Sequence, residues 1–240
     1  VGTAQLAALT SVNIVGLNSD AIAAFSSGQV AALGADAITL GTAQLAALTT
    51  DNIGALASGI FATMSTAQVD ALGADAGSLA TGQLSALTSL NIVGLASDAI
   101  AAFGTAQTAA MGSDAKALGT AQLAALTTQN IGGLSSDAIA VLSTAQVKAL
   151  GDDASGMGTT QLAALTTQNV TGLTTGALAA MATGQVAALD TDAVLFSTSQ
   201  LAALTTFNVA GLTTATVLAL SSDQIAAIGD DAYVMSTGQL

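Results

Sequence analysis

Residues 3–41 read TAQLAALT, SVNIVGLN, SDAIAAFS, SGQVAALG and ADAITLG, four octads followed by one heptad. The tetrad T-x-Q-L that opens this stretch returns at Thr42, Thr81, Thr120, Thr159, Thr198 and Thr237, always 39 residues on. Six full cycles and the start of a seventh therefore fill residues 1–240 as one continuous array. Position 1 of every octad is Ser or Thr, position 7 is apolar, and position 4 is apolar except at Thr108; position 6 is Ala or Gly outside Thr63 and Val141. Positions 4 and 7 fall on the same side of a helical turn, and a Ser or Thr hydroxyl can accept a backbone N–H at a helix start.

These regularities predict an all-α repeat solenoid of short Ser/Thr-capped helices, about six residues each, with one 39-residue cycle per coil. A continuous helix is disfavoured because eight residues at about 100° each carry the apolar pair some 80° past two turns, so its stripe would wander into solvent. The structural alternative is a β-solenoid, which also uses short Thr- and Asn-rich periods. Against it stand the apolar spacing of three then five, which lacks strand alternation, and the Ala, Gln and Leu content. Helices this short are unstable alone, so stacking must hold them.

Composition removes most chemistry. Among 240 residues there is no His, Cys, Trp, Pro, Arg or Glu and only two Lys, Lys116 and Lys148. General acid–base catalysis near neutrality draws mainly on the types that are missing, and no phosphate-loop, dinucleotide, zinc or nucleophile motif is present, so no enzyme and no cofactor are expected. A net charge of −13 opposes binding to nucleic-acid phosphates or anionic membrane, and no apolar run approaches the roughly 20 residues of a membrane span. Val1 in place of an initiator Met suggests a fragment of a longer or processed chain.

Polar residues recur once per cycle. Asn13, Asn52, Asn91, Asn130, Asn169 and Asn208 hold position 3 of the second octad, and Gln5, Gln44, Gln83, Gln122, Gln161 and Gln200 hold position 3 of the first. Gln29, Gln68, Gln107, Gln146, Gln185 and Gln224 do so in the fourth. The expected role is structural: amide ladders whose members bond to one another or to free backbone groups at helix ends; a polar ligand groove is the competing reading. Asp36, Asp75, Asp114, Asp153, Asp192 and Asp231 stand second in each heptad, suited to the first turn of a helix. Asp152 with Asp153 and Asp230 with Asp231 are weak calcium candidates, because one carboxylate pair per coil falls short of the six to eight oxygens that the ion takes. Heptad position 4, occupied by Ile38, Gly77, Lys116, Ser155, Val194 and Tyr233, is expected to face solvent.

Stretches such as TAQLAALTTQNIGGLSSDAIAVLSTAQVKAL, residues 120–150, resemble the Ala/Thr/Ser/Leu-rich repeat arrays of very large secreted bacterial surface proteins of the RTX and type I secretion adhesin kind. The resemblance implies an acidic, Cys-free, extracellular or cell-surface protein. The glycine-rich nonapeptide calcium repeats of that class are absent here, so its calcium binding does not carry over. A designed solenoid would be expected to carry more Glu, Lys and Arg on its surface. The expected function is a structural rod, stalk or fibre segment that works by reach, stiffness and self-association. Its partners would be neighbouring coils or further copies stacked head to tail, since neither end carries a polar capping repeat. The alternative is a solenoid that binds ice, glycan or a surface through Thr pairs such as Thr49-Thr50, Thr127-Thr128, Thr166-Thr167 and Thr205-Thr206.

Overall fold

The computed structural model describes residues 1–239, in two compact units, Val1–Ala125 and Leu126–Leu240. Among the described residues the secondary structure is short α- and 3-10 helix with no strand. First octads form single α-turns such as Thr42–Leu45, and fourth octads form slightly longer ones such as Thr144–Ala149. Third octads are mostly α-helical, as at Ser97–Ala102, whereas Ser58–Ile60 is 3-10. Second octads and heptads are 3-10 throughout, for example Ile92–Gly94 and Gly73–Ser78. The tighter 3-10 winding rises about 2.0 Å per residue against about 1.5 Å for the α-helix. A seven-residue heptad can thereby span the same distance as an eight-residue octad.

Inward positions are the ones the spacing marks. Ile14, Ile22, Leu45, Phe61, Leu84 and Ile100 are fully buried in the first unit, and Leu123 closes its last octad. Ile131, Leu162, Val170, Leu178 and Leu201 serve the second unit. In heptads the frame slips by one, so that Ala37 and Leu40, or Ala193 and Phe196, point inward. Thr108, the one polar residue at position 4, is also fully buried, and its hydroxyl donates to the Gly104 carbonyl one turn back.

The winding corrects the expectation of one cycle per coil. Each short helix packs on the third one along the chain rather than the fifth. On one face of the first unit, Thr3–Leu6 lies against Ser27–Ala31, which lies against Ile53–Ala55; then follow Gly73–Ser78, Ser97–Ala102 and Thr120–Leu123. In the second unit the corresponding succession is Ile131–Gly133, Gly151–Gly156, Thr175–Ala180, Thr198–Leu201 and Ser222–Ile228. Hydroxyls repeat the same register: Ser27 donates to the Asp51 carbonyl and Thr144 to that of Gln168, each 24 residues ahead. A turn of each solenoid therefore contains three sides and about 24 residues. The chemical period of 39 residues is five sides, a turn and two-thirds, because three short helices already enclose a core one Leu or Ile deep, whereas five would leave a hole at the axis.

The caps are likewise shifted by one residue. In first, third and fourth octads position 1 is the first helical residue and the residue before it is the N-cap: Ser26, Ser65, Ser143 and Ser197 accept the N–H of the Gln three residues ahead. Gly41, Gly119 and Gly158 stand at the same place without a side chain to offer. The position-1 hydroxyls are thus freed to reach the next turn. At the junction of fourth octad and heptad, Gly34, Gly73, Gly112, Gly151 and Gly229 have φ between 54° and 62°, a region that Gly enters without steric cost. Asp190 alone replaces Gly there, with φ 43°.

Candidate functional site

The recurring amides are the most organised polar groups in the molecule. In each, the side-chain oxygen accepts the N–H three residues back, completing the cap from the far side. Gly41 N–H donates to Gln44 Oε1 at 2.8 Å, Thr166 N–H to Asn169 Oδ1 at 2.8 Å, and Ala182 N–H to Gln185 Oε1 at 2.7 Å. The amide nitrogen reaches across to the turn below. Asn91 Nδ2 donates to the carbonyls of Phe61 and Met64, Asn169 Nδ2 to those of Ile139 and Leu142, and Asn208 Nδ2 to those of Leu178 and Met181, all at 2.8–2.9 Å. Gln83, Gln161 and Gln200 do the same from first octads, and Gln68, Gln107, Gln185 and Gln224 from fourth octads.

Each such amide joins one cap to two carbonyls lying 27–30 residues earlier. The ladder expected from the sequence is therefore made of amide-to-backbone clamps. Asn52, Asn91, Asn130, Asn169 and Asn208 are buried, as are Gln44, Gln83, Gln122, Gln161 and Gln200, whereas Gln5 and Asn13 in the first turn are exposed. Third octads and heptads carry no amide at position 3. There Ala99, Ala138 and Ala177 or Ala76, Ala115 and Ala154 are buried instead, and in each unit a third octad sits on a heptad at close range, as Ser97–Ala102 does on Gly73–Ser78. Among the described residues no buried side-chain nitrogen or oxygen lacks a partner.

The acidic candidates are dispersed. Asp153 accepts the Thr128 N–H at 2.6 Å and Asp152 the Thr174 hydroxyl at 2.6 Å. Asp230 and Asp231 lie in the first turn of Gly229–Val234. Among the described residues no group of three or more carboxylates is placed to hold a metal ion. Asp192 has its carboxyl held above the usual range, first by burial and then by the neighbouring Asp190 carboxylate. Heptad position 4 is a further correction. Only Lys116 and Tyr233 are exposed there, while Ile38, Gly77, Ser155 and Val194 are half-buried. The reason is that the position is used through its carbonyl: Ile38, Gly77, Ser155 and Val194 each accept from the Gln of the fourth octad 30 residues on. Side-chain identity is free because the backbone does the joining.

The Thr pairs do not form one face. Five sides per cycle on a three-sided turn move each pair to a different edge, so Thr127-Thr128, Thr166-Thr167 and Thr205-Thr206 occupy three different edges of the second unit. A depression of about 430 Å³ there is bordered by Lys148, Thr171, Thr175, Leu195, Ser199 and Gln200, and the Gln200 amide is already engaged with the Thr171 and Leu173 carbonyls. Among the described residues no helix is long and apolar enough to cross a membrane.

No curated protein matches the chain. A family model described as the ALTTAQ repeat matches residues 2–35 and 115–152, so that in two stretches this helical repeat protein is similar to the ALTTAQ repeat.

Proposed function

We propose that the array is a structural spacer, a stalk or fibre segment whose task is to hold apart what it connects. The observation that carries this reading is the mismatch between five sides per cycle and three sides per turn. Every class of side chain, amide, Ala, Asp or Thr, visits all three faces of a unit in rotation, so no face gathers the matched array that recognition of a surface requires. The polar groups that recur are spent on joining turns, and a solenoid in which each turn bonds only to its neighbours can be lengthened by whole cycles without redesign. The repeat style, which resembles that of exported bacterial surface proteins, and the acidic composition support a position outside the cell as part of this proposal. Its partners are further turns of the same kind, including those of other copies stacked end to end, because each turn is held by bonds and apolar contacts to a turn of the same design.

The test is a length series. Variants of the full chain with one 39-residue cycle removed or duplicated, carrying dyes before Thr3 and after residue 236, are measured by single-molecule energy transfer. The reading expects the distance to grow with each added cycle, and a distance that does not change with cycle number overturns it. Light scattering over a concentration series examines end-to-end association separately: size that grows with concentration supports it, and a constant monomer removes that part.

A further inference from the structure

The junctions between a heptad and the third octad of the following turn are not all alike. In the second unit, Asp152 opens its heptad and Thr174 is the N-cap of Thr175–Ala180, 22 residues on. The Thr174 hydroxyl donates to Asp152 Oδ1 at 2.6 Å while its oxygen accepts the Ala177 N–H at 3.1 Å. The carboxylate occupies the space that a Cβ on Gly176 would need. One cycle later the arrangement recurs with altered parts. The Thr213 hydroxyl lies 3.4 Å from Asp190 Oδ1 and 2.8 Å from the Thr216 hydroxyl, and accepts the Thr216 N–H at 3.2 Å, while the buried Thr216 hydroxyl donates to the Asp190 carbonyl at 2.8 Å. Asp190 holds the positive-φ position that is Gly at the five other junctions, and Thr216 stands where Ala21, Ala99, Ala138 and Ala177 stand in other cycles. The two departures from the repeat are thus bonded to each other.

The first unit has nothing equivalent. Its corresponding pairs are Ala35 with Ala57 and Ala74 with Ala96, and neither Ala57 nor Ala96 caps its helix with a side chain. In the second unit Asp152 and Asp190 each face the hydroxyl of an N-cap Thr.

We infer that Asp152 with Thr174, and Asp190 with Thr213 and Thr216, are inter-turn latches that set the order in which junctions open, those of the first unit before those of the second. A carboxylate that accepts from a hydroxyl polarises it and makes it a better acceptor for the helix N–H, so each latch couples the cap of one turn to the corner of the turn below. This follows from the side-chain geometry and stands whether or not the array serves as a spacer.

Hydrogen exchange of the full chain, resolved by peptide, tests it. Amides of 175–180 and 214–219 should exchange more slowly than those of 58–63 and 97–102 after correction for intrinsic rates. Asp152→Ala should raise exchange at 175–180 about fivefold, as expected for one solvent-exposed hydrogen bond of roughly 1 kcal/mol net. Thr174→Ser should keep the slow rate, and Asp152→Ala combined with Thr174→Val should go no further than Thr174→Val alone. The converse variant is Ala35→Asp with Ala57→Thr, at the junction where Gly59 leaves the niche open; it should slow 58–63 by a similar factor. Equal rates in the two units, or an Asp152→Ala variant indistinguishable from the parent, overturn the inference.

Discussion

Replacing Asn169 by Asp changes one atom pair and attacks the clamp at its centre. Asn169 is fully buried; its oxygen accepts the Thr166 N–H at 2.8 Å and its nitrogen donates to the Ile139 and Leu142 carbonyls, each at 2.9 Å. A carboxylate keeps the first bond and loses both donations, leaving two buried carbonyls facing a negative charge. With about 1–3 kcal/mol for each orphaned buried group, the loss at neutral pH is about 4 kcal/mol. Burial and the facing carbonyls raise the folded-state pKa of the new acid above its unfolded value. Stability is therefore lowest where the group is ionised and returns as pH falls through that raised pKa, since the protonated acid regains one donor. Thermal unfolding at several pH values, with Asn169→Ala for comparison, measures this. Asn169→Asp should fall below Asn169→Ala at pH 7 and approach or pass it near pH 4, when each is referred to the parent at the same pH. An Asp variant within 1 kcal/mol of the parent at pH 7 would refute the clamp as a source of stability.

Gly172→Ala should cost about 1–3 kcal/mol, because the added Cβ would stand 2.5 Å from the Thr144 carbonyl oxygen and 2.8 Å from Val147 Cβ; Gly16→Ala, with nothing within 4 Å, should leave the melting temperature unchanged or raised. Thr144→Val removes the 2.7 Å bond to the Gln168 carbonyl at an exposed edge and should cost about 0.5–1 kcal/mol by denaturant titration. Asp192→Asn should stabilise the chain at neutral pH. The Asp192 carboxyl is raised in the fold, so its ionised form opposes folding and this opposition fades as pH falls; the variant should lack that acid-dependent gain when compared with the parent at pH 7 and pH 4. Millimolar calcium should not shift the melting temperature appreciably, since a ligand stabilises only in proportion to its occupancy of the native state.

What could be read in advance was whatever the octad itself encodes. Leu45, Ile53, Val69 and Leu84 are buried as their spacing implies, and the helical character follows from the same three-then-five pattern. The length of a turn was hidden, because the 39-residue period records which side chains repeat and says nothing of how many sides close on themselves. The hint lay in core size. One or two apolar residues per octad fill the axis of a triangle and would leave a pentagon empty. The cap was misplaced by one residue for a local reason. Thr42 carries a hydroxyl and Gly41 does not, so the hydroxyl draws attention, yet the bond at Gly41 is made from the other side by Gln44. The amides' second function, reaching carbonyls 27–30 residues earlier, depends on the winding and could not be derived before it was known. The same holds for heptad position 4, whose varied side chains conceal a carbonyl that is used in nearly identical fashion at Ile38, Gly77, Ser155 and Val194.

The winding also makes repeat number an angular quantity. Inserting one 39-residue cycle advances a solenoid of this design by five sides, so whatever follows is carried forward and also swung through two-thirds of a revolution about the local axis. Only a gain or loss of three cycles, 117 residues, returns a downstream attachment to its former bearing. In proteins that vary by recombination among near-identical repeats, allele length would then encode a compass heading as well as a reach, and alleles differing by one or two cycles would present the same cargo in different directions. Chains whose cargo must keep its bearing should differ in multiples of three cycles, a rule that can be checked by counting repeats.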